Sequence, residues 1–227
     1  MATKTIPINE LMRFVDHTFK IKKGQYLFQE GMQAKGLYLI LSGKVQVSKI
    51  TEDGRELTFR LCGQNDIVGE AIIFSHFPTF MLTAKVIEDG EAAFISKEKM
   101  EEELFKSGAF AMEFLKWMSD QYRNTQTKFR DLLLHGKKGA VFSTLIRMTN
   151  SYGVKKADGI LIDFPFTNQE LGNFSGTSRE SVNRMLSDLK KRGIISMCEG
   201  KIMIHDLQYL RDEIGCEGCP IMYCRLE

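Results

Sequence analysis

The chain has 227 residues, of which 43% are hydrophobic and 26% are charged, a composition typical of globular proteins. The length suits two domains better than one. No run of about 18 apolar residues could cross a membrane, and residues 1–14 lack the apolar core of a signal peptide. We therefore expect a cytoplasmic protein with no membrane partner and no structural disulfides.

The charge distribution indicates the kind of partner better than the net charge of +2 does. Residues 136–211 carry 12 Lys and Arg against 7 Asp and Glu, whereas residues 1–135 carry 18 of each. A basic block in one part of the chain favours binding to a phosphate backbone. We therefore expect a phosphate backbone, such as that of double-stranded DNA, to be the partner of residues 136–211.

The first half of the chain has the pattern of a β-rich domain. Residues 6–20 are predicted to form a short helix, and short apolar runs follow from Tyr26 to Ile95. Turns are predicted at Ser42-Gly43, Asp53-Gly54, Gly63 and Asp89-Gly90, because Gly after Ser or Asp commonly connects strands. Such regular short strands predict a sandwich, barrel or roll.

Residues 97–134 change to helical periodicity. An apolar stripe is predicted along the helix, comprising Phe110, Phe114, Trp117, Met118, Tyr122, Thr125, Phe129, Leu132 and Leu133. Such a stripe between two globular regions favours pairing with a second copy of the chain. The alternative is that the stripe packs on the β-rich domain of its own chain.

The segment Thr167–Leu186 has the signals of a helix-turn-helix. Thr167 and Glu170 form the pattern of a capping box, Gly176 permits a tight turn, and Ser178 is placed to cap the second helix. An alternating segment around Glu199-Gly200 then predicts a hairpin, which would form a wing.

The exposed face of the second helix carries side chains that suit base edges. Arg can bond guanine, Glu can accept from cytosine, and Asn can bond adenine or a phosphate. The alternative is an ordinary pair of helices with a solvated charged face. The predicted DNA-binding residues are Thr167, Gln169, Ser178, Arg179, Glu180, Asn183 and Arg184.

Three cysteines near the C-terminus have the spacing of a metal site. Cys216, Cys219 and Cys224 form a C-x2-C-x4-C pattern, which fits an iron–sulfur cluster, a zinc site or a redox-active dithiol. The first two need a fourth ligand. Cys62 is expected to be a small core residue. Cys198 can be either a small structural residue or a metal ligand.

The chain lacks a catalytic triad, paired acids and a phosphate loop, which argues against an enzyme.

The order of these elements and the SRESVNR motif resemble the CRP/FNR superfamily of transcription regulators. The resemblance implies an α+β fold with a cyclic-nucleotide-binding-like β-roll, a long dimerisation helix and a winged helix-turn-helix. The corresponding ranges are residues 1–96, 97–136 and 137–211, followed by a cysteine-rich tail at 212–227. It also implies a homodimer, contact with RNA polymerase, and contacts of Arg179, Glu180 and Arg184 with a TGTGA-type half-site.

The β-roll departs from the pattern of members that bind cyclic nucleotides. Gly69-Glu70 is present, but Met81-Leu82-Thr83 stands where those members have an Arg-Ser pair. A buried phosphate without a cation is unfavourable. We therefore expect no cyclic nucleotide to bind, and we interpret Gly69-Glu70 as a structural turn.

The tail cysteines resemble those of Bacillus-type Fnr regulators. That resemblance implies one [4Fe-4S] cluster per subunit, with Cys216, Cys219, Cys224 and Asp131 as ligands, in an oxygen-responsive activator of anaerobic metabolism. His135 is a rival fourth ligand. Loss of the cluster to oxygen is then expected to free the tail and misalign the DNA-binding helices. A zinc-controlled, thiol-redox-controlled or constitutive regulator of the same fold is the alternative.

Overall fold

The computed structural model describes residues 8–226 as two compact units. Within the described residues, the first unit contains residues 8–54 and Phe59–Gln121, and the second contains Arg55–Thr58 and Tyr122–Leu226. None of the helices in the described part of the chain is both long enough and apolar enough to span a bilayer.

The first unit is built around an antiparallel sheet with the strand order β1-β6-β3-β4, in which β2 pairs with β6 and β5 with β3. This confirms the predicted β-rich region. Its elements are α1 (Ile8–Leu11), β1 (His17–Ile21), β2 (Tyr26–Phe28), β3 (Gly36–Ile50), β4 (Glu56–Cys62), β5 (Ile67–Val68), β6 (Thr83–Ser96) and α2 (Lys97–Lys106).

Two of the predicted turns are wrong. Gly43 and Gly90 lie inside the long strands β3 and β6, at places where the pairing between these strands shifts register. A Cβ on Gly90 would lie 2.1 Å from the carbonyl oxygen of Ser42. These glycines therefore allow the close approach of two backbones at a β-bulge, and the chain does not turn there.

Helix α3 (Gly108–Leu134) crosses the boundary between the units, and the predicted apolar stripe along it divides into two faces. Phe110, Phe114 and Trp117 are buried in the core of the first unit, so this part of the stripe packs on its own chain. A second row of apolar side chains is exposed. It contains Tyr122, Phe129 and Leu133 of the predicted stripe together with Met112 and Leu115, which the predicted stripe did not include.

The second unit is a helical domain with a four-stranded antiparallel sheet of order β7-β8-β10-β9. The predicted wing is present as the β9–β10 hairpin, and both residues of its turn, Glu199 and Gly200, have positive φ. The remaining elements are α4 (Gly136–Tyr152), β7 (Gly153–Lys156), β8 (Gly159–Ile162), α5 (Asn168–Phe174), α6 (Arg179–Lys191), β9 (Ile195–Cys198), β10 (Lys201–Ile204) and α7 (Leu207–Glu213).

We expect Gly36→Ala to destabilise the first unit by about 1–3 kcal/mol. A Cβ at this position would lie 2.2 Å from the carbonyl oxygen of Ile95 and 2.6 Å from the ring of Phe94, so the two strands would have to separate. Urea unfolding monitored by the fluorescence of the buried Trp117 measures the change.

Gly63→Ala is the matched control. No atom lies within 4 Å of the Cβ position at Gly63, and its φ is not positive. The free energy of unfolding of this variant should be unchanged or increased by about 0.4–1 kcal/mol. Equal losses of stability in the two variants would contradict the packing argument.

Candidate functional site

Hydrogen bonds at the helix N-termini fix the predicted helix-turn-helix. The Oγ1 of Thr167 accepts from the backbone N–H of Glu170 at 3.2 Å, and the Glu170 carboxylate accepts from the N–H of Thr167 at 2.7 Å, which confirms the capping box. Ser178 caps α6 by accepting from the N–H of Ser181. The turn between the helices contains Gly176 with φ of 58°.

Helix α6 has one buried face and one exposed face. Val182, Leu186 and Leu189 are buried, whereas the predicted base-contacting residues Arg179, Glu180, Asn183 and Arg184 are exposed. Thr167, Ser178 and Gln169 are also exposed. The seven predicted DNA-binding residues thus lie on the surface of α5, α6 and their N-termini.

The side chains of Asn183 and Glu180 have neighbours that influence their chemistry. Asn168 Nδ2 donates to Asn183 Oδ1 at 3.2 Å, so α5 orients the amide of Asn183. The backbone at the N-terminus of α6 and the hydroxyl of Ser178 lower the pKa of Glu180. Glu180 therefore stays ionised and can accept hydrogen bonds.

The second unit contains a cavity of about 440 Å³. Its wall includes all four residues of the predicted metal site, Asp131, Cys216, Cys219 and Cys224, together with the rival ligand His135. Among residues 8–226, however, no three His, Cys, Asp or Glu side chains lie close enough together to hold one metal ion. The structure thus brings the predicted ligands to one cavity without bringing them to ligand distance.

The two remaining cysteines lie elsewhere. Cys62 is fully buried in the core of the first unit, as predicted, and Cys198 is exposed on β9. The wall of the cavity contains neither of them.

Asp131, at the end of α3, is only 5% exposed and accepts four hydrogen bonds. Its Oδ1 accepts from Arg130 Nε at 3.1 Å and from Arg130 Nη2 at 2.9 Å, and its Oδ2 accepts from Arg147 Nη2 at 2.8 Å and from the hydroxyl of Ser143. Burial by itself would raise the pKa of Asp131, but the hydrogen bonds from Ser143 and Arg147 lower it below its usual value. The side chain is therefore a buried carboxylate ion.

The two arginines also contact the cysteine tail. Arg147 Nη1 donates to the backbone carbonyl of Tyr223 at 2.9 Å. Both Nη atoms of Arg130 lie 3.8 Å from the Sγ of Cys219, and Nη1 also pairs with Glu217. Asp131 and the tail are thus connected through guanidinium groups.

Helices α3 and α4 hold the end of the tail. Asn150 Nδ2 donates to the carbonyl of Cys224 at 2.7 Å, the N–H of Leu226 donates to Ser151 at 3.0 Å, and Lys128 Nζ donates to the carbonyl of Leu226. Leu226 is only 1% exposed. These contacts join protein groups only, so they do not support the expectation that loss of a cluster frees the whole tail.

The hydrogen-bond network around Arg147 was not predicted from the sequence, although the sequence contains a signal for it. Arg147 and Ser143 occur in the otherwise mostly apolar stretch VFSTLIRM of α4, and both are buried. A charged residue in a buried helix needs an opposite charge nearby, but the sequence does not identify which acid is close to it. The fold supplies Asp131, 16 residues away.

In the β-roll, Glu70 has a partner that the sequence analysis also missed. Arg60 Nη1 lies 2.7 Å from the Glu70 carboxylate, and both side chains are largely buried. Gly69 has φ of 86° and precedes a short 3₁₀ turn. Beside it, the rings of Phe28 and Phe80 stack with their centroids 3.7 Å apart.

Comparison with known families and proteins agrees with this architecture. Residues 18–107 match the cyclic nucleotide-binding domain family, and residues 140–213 match the Crp-like helix-turn-helix domain family. The chain is 54% identical to the anaerobic regulatory protein of Bacillus subtilis, over 96% of this chain and 92% of that protein.

A more distant relative and a solved structure are also similar over most of the chain. The CRP-like cAMP-activated global transcriptional regulator of Mycobacterium tuberculosis is 28% identical over 83% of this chain and 84% of that protein. The c-di-GMP responsive global regulator CLP of Xanthomonas campestris superposes with a TM-score of 0.76 at 22% identity, covering 88% of this chain and 98% of that structure. The chain therefore belongs to the CRP/FNR superfamily of DNA-binding transcription regulators, which are not enzymes.

Proposed function

We propose that this chain is an oxygen-responsive regulator of anaerobic metabolism, mainly an activator, that binds a TGTGA-type palindrome as a homodimer. One [4Fe-4S] cluster per subunit controls it. The observation that carries the proposal is the cavity lined by Asp131, Cys216, Cys219 and Cys224, in the same unit as the helix-turn-helix. The 54% identical relative from Bacillus subtilis is an anaerobic regulatory protein.

The donor set and the charges of the cavity suit an iron–sulfur cluster. Thiolates are the ligands that such clusters prefer, and a carboxylate oxygen is a harder and weaker fourth ligand. Arg130 and Arg147 line the same wall and would offset the negative charge of three thiolates and a carboxylate. When bound, a [4Fe-4S] cluster would supply an oxygen-labile link between the tail and the end of α3.

Zinc is the second candidate for this site, because the same three cysteines with Asp131 or His135 are a suitable set of zinc ligands.

Contacts within the second unit offer a route from the ligands to the DNA-binding helices. Asp131 ends α3, the cysteines follow α7, and α4 packs against α5, α6 and α7. Drawing the cysteines towards Asp131 would change the packing of α7, and of the end of α3, against α4. The regulator would thereby shift between two populations that differ in the placement of α6.

The exposed apolar row on α3 supports the homodimer. Met112, Leu115, Tyr122, Phe129 and Leu133 are spaced by three, seven, seven and four residues, which is the spacing of a seam between two parallel helices. Two subunits paired in this way can present their α6 helices to half-sites one helical turn apart. As an activator, the dimer also needs to contact RNA polymerase.

The exposed face of α6 supports direct contacts with bases. Arg179 and Arg184 suit the guanines of a TGTGA-type site, and the ionised Glu180 suits a cytosine amino group. Asn183 can bond a base or phosphate, while Thr167, Gln169 and Ser178 lie at the helix N-termini, where phosphates bind.

The β-roll supports a regulator that does not respond to cyclic nucleotides. Glu70, which would accept from a ribose hydroxyl in nucleotide-binding members, is paired with Arg60. The stacked rings of Phe28 and Phe80 pack against Gly69 beside it. A ribose hydroxyl would have to compete with Arg60 for the carboxylate of Glu70.

Protein purified without oxygen should contain about four iron and four sulfide ions per subunit and absorb broadly at about 400 nm. Cys216→Ser should lose most of both, because it removes a thiolate ligand. Cys198→Ser is the matched control, since that cysteine is exposed on β9 and should leave iron and sulfide unchanged. A colourless wild-type protein that contains zinc would contradict the cluster.

The anaerobic protein should bind a TGTGA palindrome much more tightly than the air-exposed protein at the same salt concentration. Arg179→Ala should weaken anaerobic binding by about 1–3 kcal/mol and relax the preference at the contacted base pair. Ser187→Ala, which changes an exposed residue later in α6, should have little effect. Equal affinity with and without oxygen would refute oxygen control.

Leu115→Glu should raise the dissociation constant of the dimer at least about tenfold in analytical ultracentrifugation, because it places a charge in the proposed helix seam. Phe105→Glu is the matched control, since Phe105 is also apolar and exposed but lies on α2. A similar loss of dimer in both variants would argue against α3 as the interface.

A further inference from the structure

The two arginines that hold the Asp131 carboxylate differ in burial and in their other partners. The side chain of Arg147 is 4% exposed, and it also donates to Ser143 and to the carbonyl of Tyr223. The side chain of Arg130 is 28% exposed. Its other partners are the thiol of Cys219 and the carboxylate of Glu217, which is largely exposed.

The carboxylate of Asp131 has no acceptor capacity to spare. Two hydrogen bonds reach Oδ1 and two reach Oδ2, and a carboxylate offers about four acceptor sites. Asp131 can therefore bind a metal only if one of its present partners leaves.

Arg130 is the partner that can leave at the lower cost. Its guanidinium contacts both Asp131 and Cys219, which are two of the four proposed ligands, so it lies where these ligands would have to converge. After displacement it can remain hydrated and paired with Glu217, and such exposed ion pairs contribute little energy. Displacing Arg147 would instead leave an uncompensated charge in the interior, which is far more costly.

We propose that Asp131 exchanges Arg130 for iron and keeps Arg147, an inference that rests on the proposed cluster site. Arg130 is then the exchangeable partner of the carboxylate. Arg147 is a positioning residue that holds Oδ2 of Asp131 and the tail carbonyl of Tyr223 while the exchange takes place.

Binding of Co²⁺ alone to the full-length, metal-free protein without oxygen tests this proposal. Thiolate-to-cobalt charge-transfer absorbance reports binding, so the measurement does not depend on transcriptional activity. Arg130→Ala should bind Co²⁺ about tenfold more tightly than the wild type, because a competing charged hydrogen-bond donor is gone. Arg147→Lys, which keeps the charge but loses the forked geometry, should bind about tenfold more weakly.

Two controls separate exchange from other effects of the substitution. Lys137→Ala removes a positive charge from an exposed position near the same helix junction and should change the affinity less than threefold. In an Asp131→Asn background, the gain from Arg130→Ala should largely disappear, since the two substitutions then act on one interaction.

Several results would overturn the proposal. Unchanged or weaker Co²⁺ binding by Arg130→Ala would show that Arg130 does not compete with the metal for the carboxylate of Asp131. An equal gain from Lys137→Ala would assign the effect to general charge. A wild-type protein without any thiolate-to-cobalt band would instead refute the cysteine and carboxylate site of the proposed function, and this inference with it.

Discussion

A carboxylate ion buried at the end of α3 is the constraint on which the candidate site depends. Asp131 is 5% exposed, and a charge removed from water must be compensated by groups inside the protein. Arg147 and Ser143 bring that compensation from α4, and Arg130 brings it from α3. Because Arg147 also donates to Tyr223, the same compensation fixes the tail, so three segments of the second unit meet at one charge.

Features that depend on neighbouring residues could be predicted from the sequence. The capping box of α5 and the Ser178 cap of α6 involve residues three positions apart, so their signals are contained in short motifs. The wing hairpin and the glycine turn between α5 and α6 are local in the same sense. The family resemblance then brought Asp131 into the set of candidate ligands, which the residues alone could not do.

Features that depend on distant packing could not be predicted in this way. A Gly after Ser or Asp has the same local signal in a hairpin turn and in a β-bulge, and only the pairing of β3 with β6 separates the two at Gly43 and Gly90. Helix α3 carries apolar residues on two faces, and periodicity cannot say which face meets the chain's own core. The partner of Arg147 is likewise set by how α3 and α4 pack.

Anchoring at both ends makes the cysteine segment a short closed loop. Helix α7 holds one end through the bond from the N–H of Cys216 to the carbonyl of Arg211, and the burial of Leu226 holds the other. Most of the entropy of closing this loop is therefore lost when the protein folds. The three thiols stay at high effective concentration around the cavity, so assembling a metal centre there requires local adjustment of a loop and not capture of a free chain end.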